Sequence, residues 1–448
     1  MPQSLADLSQ QMLDTARRAG ADAADAIAVD GTSLSITVRG GALEQADRSE
    51  GITVGLRVLV GQRQACVSSS DTAADTLAQM AERAVAMAKE APDDPHIGLA
   101  EPGQLATQTD TATLELFDPS EEPDPAALQE DATRAEAAAL SNTGISQVQA
   151  ASAGYNNRRI HLAATNGFSA GFARTDRGVS CVAISGTGTE MERDYDFDSR
   201  VFQGDLRDAA EIGALAAARA VERSGARKPG TGAFTVLFDE RIANSLIGSL
   251  LQAVNGAAIA RGSSWLRDAV GEQVLPEALS LIEEPHRPRV TGSRLFDAEG
   301  LPTQRRAIVD KGVLTGWTLD LANARKLGLE STANAGGSPG APPSPSLSNV
   351  SLTQGEHSRD DLIKEMGTGL LVTSMIGSTI NPNTGDYSRG ASGFWVENGE
   401  VTYPVNECTV AGNLRDMLKT IVPANDGRTH LSRVVPSLLV EGLTLAGD

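Results

Sequence analysis

Residues 51–60 read GITVGLRVLV, with Ile52, Val54, Leu56, Val58 and Val60 at every second position. A period of two puts those side chains on one face of a β-strand, because successive Cβ atoms point to opposite sides of a sheet. The same alternation occurs upstream in SLSITV (residues 33–38: Leu34, Ile36, Val38), and QACVSSS (64–70) follows as a third strand. Both flanks switch to helical spacing. Leu5, Leu8, Met12, Leu13 and Ala16 share one face of an N-terminal helix, and Leu77, Met80, Ala81, Ala84, Val85 and Met87 share one face of a helix that Asp71 is expected to cap. The unit is therefore helix, three-stranded meander, helix.

A second unit of the same order follows a Pro- and Asp-rich connector: a helix at AALQEDATRAEAAAL (126–140), strands between about 144 and 202, and a helix at RDAAEIGALAAARAVERS (207–224). The Gly- and Pro-rich stretch 223–232 ends that helix and lets the chain turn. The expected fold class is α+β. Residues 1–224 would form an N-terminal α/β domain with an antiparallel sheet and flanking helices, in two helix–meander–helix halves. Residues 231–448 would form a β-rich domain, barrel- or sandwich-like, with one or two helices. Within it AFTVLFDE (233–240) predicts a buried strand and an Asp239 N-cap, and Asn398-Gly399 predicts a type I′ hairpin turn. STANAGGSPGAPPSPSLSN (331–349) is too rich in Pro and Gly to predict regular structure.

Composition narrows the function. With 38 Lys+Arg against 58 Asp+Glu the net charge is -20, which repels a phosphate backbone and argues against nucleic acid as a direct partner. The opening lacks the continuous apolar core of a signal peptide and no stretch is long enough to span a bilayer, so the expected location is the cytoplasm, with no membrane partner. Cys66, Cys181 and Cys408 lie far apart, and His96, His161, His286, His357 and His430 are scattered with no second His or Cys at metal-ligand spacing. GFSAG (167–171) matches the G-x-S-x-G pattern, but strand-like sequence on both sides favours a surface hairpin over a nucleophile elbow. NPNTGDYSRGASG (381–393) gathers Asp386, Ser388 and Arg389 in a Gly-rich turn.

That turn opens NPNTGDYSRGASGFWVENGEVTYPVNECTVAGNL (381–414), which resembles the C-terminal signature of the TldD/PmbA family on its PmbA (TldE) side. ARGSSWLRDAVGEQVLPE (260–277), RLFDAEGLPTQRRAIVDKGVLTGWTLD (294–320), PSLLVEGLTLAG (436–447) and SEGITVGLRVLVGQRQACVSSSD (49–71) extend the resemblance over nearly the whole chain. It implies a subunit of a heterodimeric TldD/TldE zinc metalloprotease that cleaves unstructured peptides, in which a TldD-type partner binds zinc through a His-Glu-x-x-x-His motif and a later Cys. Carried onto LIGSLLQAVNGAAIARGSSW (246–265), the resemblance places the two histidines at Leu251 and Gly256 and the glutamate at Gln252. Leucine and glycine carry no donor atoms, and an amide cannot act as a carboxylate base. After Arg428 the chain offers His430 and no cysteine.

The resemblance thus implies no catalytic residue and no cofactor in this chain, with zinc in the partner, and a homodimer as a possible state in isolation. Leu246, Ile247, Leu250, Leu251, Val254 and Ala258 would keep one helix as a packing element. Peptide contacts would come from the 331–349 loop and the 381–393 turn, with Asn334, Asn349, Asp386 and Arg389 as candidates. Two other readings stay open: a self-sufficient hydrolase with a different site, and a regulatory binding protein acting indirectly on DNA gyrase.

Overall fold

The computed structural model describes residues 3–447, the side chains of residues 378 and 379 apart, so the expected outer bounds at 1 and 448 lie outside the described residues. Helix α1 (Leu5–Ala19) begins at a Ser4–Asp7 capping box and ends on Gly20 in the left-handed region. Strands β1 (Ala23–Arg39), β2 (Ala42–Val60) and β3 (Arg63–Ser69) form the expected meander, and α2 (Ala74–Glu90) closes the unit. One detail differs: Ala73 is the residue before α2, and Asp71 acts from outside by accepting the Ala73 N–H (2.9 Å) and the Thr76 hydroxyl (2.6 Å).

The second unit, α3 (Pro125–Leu140), β4 (Ile145–Ala164), β5 (Ser169–Ser185), β6 (Glu192–Arg200) and α4 (Ala209–Glu222), repeats the order. The two meanders join through antiparallel β1 and β4 into one six-stranded sheet, β3-β2-β1-β4-β5-β6. Ala24, Ala26, Ala28, Leu34, Ile36 and Val38 of β1 all point to the same side, where one apolar cluster holds α1 and α2 and another holds α3 and α4. The GFSAG stretch runs from the β4–β5 turn into the start of β5, a hairpin, as the flanking strands predict.

The C-terminal region is β-rich. It starts with β7 (Gly232–Phe238), α5 (Glu240–Ala253) and α6 (Gly256–Ala260). Short strands follow: β8 (Leu281–Glu283), β9 (Arg306–Asp310), β10 (Val313–Leu314), then, after α7 (Leu321–Leu327), β11 (Ala335–Ser338), β12 (Ala341–Pro345) and β13 (Val350–Leu352). After α8 (Arg359–Met366) come the long strands β14 (Gly369–Ile380), β15 (Asp386–Glu397) and β16 (Glu400–Asn413), α9 (Leu414–Lys419), β17 (Val422–Pro423), β18 (Arg433–Val434) and β19 (Leu438–Ala446). Strands β16, β15, β14, β7 and β19 pair in that order and β16 also pairs with β19, which closes a five-stranded barrel. Asn398 and Gly399 both have positive φ, 53° and 77°, as the type I′ turn requires.

Three expectations fail here. Among the described residues the C-terminal region carries five helices, α5 to α9, where one or two were expected. Residues 331–349 are not irregular: β11 and β12 form a hairpin whose Pro345 sits at a strand end. Its tip packs on the sheet face away from the helices, where a Cβ at Gly55 would lie 2.6 Å from Pro339 Cα, so only glycine admits the approach. The helix predicted through Ala258 breaks at Asn255, whose side chain accepts the Ala257 N–H (3.0 Å) and caps α6.

Candidate functional site

Helix α5 carries the positions to which the resemblance assigned metal chemistry. Asp239 caps it, accepting the Arg241 N–H (3.2 Å), and receives the Arg241 Nε (3.0 Å) and an Arg359 guanidinium N–H (3.0 Å). Burial would lift the Asp239 carboxyl, but Arg241 and its backbone N–H outweigh that and hold it below the ordinary carboxylate range. Arg241 reaches on to Asp194 of β6 (2.8 Å), and Arg223 at the end of α4 donates to Ser392 of β15 (2.7 Å), so ion pairs and hydrogen bonds lock the barrel against the first sheet. Sequence reasoning missed this network. Its trace was the alternation Asp194, Asp196, Asp198, three acids on one strand face with at most 6 % exposure each.

Along α5, Ala243, Leu246, Ile247, Leu250 and Leu251 enter the barrel core with Val236, Phe238, Val372 and Trp395. Leu251 is part of that packing, and Gln252 is exposed on the opposite side. Gly256 is buried against residues 318–319: its N–H donates to the Thr318 carbonyl (2.8 Å), and a Cβ there would lie 2.6 Å from Leu319 Cδ2 and 2.8 Å from the Thr318 oxygen. A side chain at 256 would force Leu319 and the 318 backbone to shift. Among the described residues no group of three His, Cys, Asp or Glu side chains is placed to hold a metal ion. The donor set at 251, 252 and 256 does not suit zinc, since it offers an aliphatic chain, an amide and no side chain. His430 lies near Asp198 (Nε2 to Oδ1 3.5 Å), with its imidazole pushed below the ordinary histidine value by burial, and belongs to the inter-sheet network.

The four candidate peptide contacts separate into two pairs. Asn334 and Asn349 are 2 % and 0 % exposed, with their side chains turned into the C-terminal region. Asn334 donates to Glu283 Oε1 (2.8 Å) and Asn349 to the Ser293 hydroxyl (2.7 Å) and the Glu284 carbonyl (3.0 Å). Glu283 is the hub: the same oxygen accepts from Ser348 N–H (2.7 Å) and Oγ (2.8 Å), and its other oxygen pairs with Arg306 Nε (2.8 Å). Asp386 and Arg389 do lie at the surface end of the β14–β15 hairpin. Asp386 is held below the ordinary carboxylate range by the Thr384 hydroxyl and the Asn413 amide, while Arg389 donates to the Gly377 carbonyl (2.8 Å). The structure does not bring the two pairs together into one cavity.

Comparison with known proteins places this geometry. The chain is 36% identical to Metalloprotease PmbA of Escherichia coli over 430 residues, 95% of this chain and 93% of that one. The chain belongs to the PmbA/TldD family. Residues 24–88, 118–224 and 231–447 match, in turn, domain 1, the central domain and the C-terminal domain of the PmbA/TldA metallopeptidases. A PmbA homologue of Haemophilus influenzae is 35% identical over 97% of this chain and 94% of its own. In three dimensions the chain is similar to a proposed modulator of DNA gyrase from Bacteroides thetaiotaomicron (TM-score 0.91, 28% identity, 98% of both chains). TldE from Thermococcus kodakarensis shares the fold (TM-score 0.85, 20% identity, 98% of this chain and all of that one). The PmbA/TldD family is thus one of metallopeptidase names, and among the described residues of this member no helix is long and apolar enough to cross a membrane.

Proposed function

We propose that this chain is the non-catalytic, TldE-like subunit of a heterodimeric zinc metalloprotease that degrades or processes unstructured peptides. A TldD-type partner supplies the zinc, and this chain supplies half of the enclosing cavity, in the cytoplasm. The observation that carries the reading is the filled space at Gly256 together with the aliphatic Leu251 and the amide Gln252. A division into residues 1–224 and 231–448 belongs to the same reading, supported by the family matches that end at 224 and resume at 231. Peptide would meet this subunit at the Asp386–Arg389 end of the β14–β15 hairpin, where the Arg389 fork suits a carbonyl or carboxylate.

A regulatory role on DNA gyrase is the second reading, favoured by the name given to the Bacteroides relative. The net charge of -20 makes it indirect, through peptides and not through DNA. Peptidase assays on the purified chain, with and without chelator and without partner, separate the proposal from a self-sufficient hydrolase: the proposal expects no chelator-sensitive turnover, and sustained turnover by the chain alone contradicts it.

A further inference from the structure

The β11–β12 hairpin pairs with no further strand among the described residues and lies over the face of the first sheet that the helices leave free. Its base is tied to the 297–299 loop: the Ala335 N–H donates to Asp297 Oδ2 (2.9 Å), and the Ala298 N–H donates to the Ala335 carbonyl (3.0 Å). Its tip is held by packing alone. A Cβ at Gly340 would lie 2.9 Å from the Ser68 hydroxyl, yet among the described residues no hydrogen bond joins residues 337–343 to the sheet. Tip, loop and sheet enclose a cavity of about 30 Å³, room for a water or two. Glu299 lines it. One oxygen of its carboxyl accepts the Leu321 N–H (2.9 Å), and the other meets no donor among the described residues.

We infer that this hairpin is a proton-controlled latch: its tip stays seated on the first sheet while Glu299 is protonated and lifts as Glu299 ionises. A carboxylate with an oxygen that nothing donates to keeps its charge in so small a cavity only if water enters, and the tip is the wall that no hydrogen bond holds. The groups facing Glu299 do not offset the charge. Arg57 of β2 favours it but is committed to Asp25 of β1 (2.6 Å), while Asp297 on the same loop and Asp320 before α7 oppose it. Cys66 of β3 is a thiol that burial pushes up to about 11, and so is neutral. The walls from β4, the β4–β5 turn, residues 99–100 and the hairpin carry no charged side chain. Burial and Asp297 accordingly raise the Glu299 carboxyl to about 8. With the tip lifted it meets water and returns towards 4.5, so the closed latch is firmest below about 4.5, weakens as pH rises towards 8, and weakens no further through this group above that.

Cys66 lines the cavity beneath the tip, whereas Cys181 and Cys408 are buried in the α3–α4 and barrel cores, so three native thiols separate lifting of the tip from unfolding. The test labels the full chain with iodoacetamide between pH 5.5 and 8 and reads each thiol by mass spectrometry. Dividing the Cys66 rate by that of a cysteine in an unstructured peptide at the same pH removes the pH dependence of the thiolate itself. That ratio should rise by about tenfold or more between pH 6 and 8, with Cys181 and Cys408 unlabelled. Glu299→Gln keeps an acceptor for the Leu321 N–H and carries no charge, so it should hold the ratio at its pH 6 value, with thermal melts confirming its fold. A wild-type ratio that is flat with pH overturns the inference without any variant. Cys66 labelling that proceeds only in step with Cys181 and Cys408, or a Glu299→Gln ratio that rises like wild type, overturns it as well.

Discussion

Replacing Gly256 tests whether the metal motif could be rebuilt in this chain. In Gly256→Ala the new Cβ would sit 2.6 Å from Leu319 Cδ2 and 2.8 Å from the Thr318 oxygen, and the second atom is backbone that cannot swing away. Overpacking of a filled site costs about 1–3 kcal/mol. Removing a glycine returns about 0.4–1 kcal/mol by restricting the unfolded chain. The net expectation is a loss of up to about 2.5 kcal/mol, and Gly256→His, which must place a whole imidazole there, loses more than about 3 kcal/mol. Trp265, Trp317 and Trp395 all lie buried in the C-terminal region, so tryptophan fluorescence during urea unfolding reports this part of the molecule directly. Gly316 provides the control: nothing lies within 4 Å of a Cβ built there, so Gly316→Ala should leave the midpoint unchanged or raise it. If Gly256→Ala unfolds at the same urea concentration as wild type, or later, the steric reasoning is wrong.

Other perturbations act on different parts of the molecule. Glu283→Gln leaves the half-buried Arg306 without its carboxylate partner and weakens the other bonds to the buried carboxylate, and should lower the urea midpoint by the equivalent of about 1.5–3 kcal/mol; a change under about 0.5 kcal/mol would remove Glu283 as the hub. Burial and the neighbouring Asp297 raise the Glu299 carboxyl to about 8, from 4.5. With Asp297, whose carboxyl burial also raises, it holds a proton in the fold that the unfolded chain has released, so stability should fall as pH rises from about 4.5 towards 8. Glu299→Gln should flatten that slope, and an unchanged pH profile would contradict the assignment. Shortening the β11–β12 hairpin removes the Pro339 contact at Gly55 and should increase protease nicking between the first sheet and the C-terminal region. Arg389→Ala should weaken peptide turnover by a complex with a TldD-type partner while leaving the melting temperature within about a degree of wild type, since surface changes cost little.

The first sheet was legible in the sequence because each strand has one side turned to the helices, so its apolar residues alternate. The barrel was less so: β7, β14 and β19 each have a run buried on both sides, at residues 236–238, 369–373 and 438–440, which erases the period there and leaves short apolar runs. The 331–349 hairpin was hidden by its composition. Its strands contain Gly336, Gly337, Pro342 and Pro343, which normally argue against strand, and they pair only with each other. The burial of Asn334 was not legible in the sequence because the carboxylate that receives its amide, Glu283, lies 51 residues away. The break at Asn255 was readable in principle, since Asn followed by Gly is a capping signal, but the apolar stripe spans it without interruption.

The central claim, that this chain works beside a zinc-binding partner and does no metal chemistry itself, is tested most directly by one paired measurement. Zinc content by elemental analysis and hydrolysis of an unstructured peptide should be recorded for this chain, for a TldD-type partner and for the mixture. The account predicts less than about a tenth of an equivalent of zinc and no turnover for this chain, one zinc per partner, and most of the turnover only in the mixture. One tight zinc in this chain with chelator-sensitive turnover, or a partner alone as active as the mixture, would contradict it.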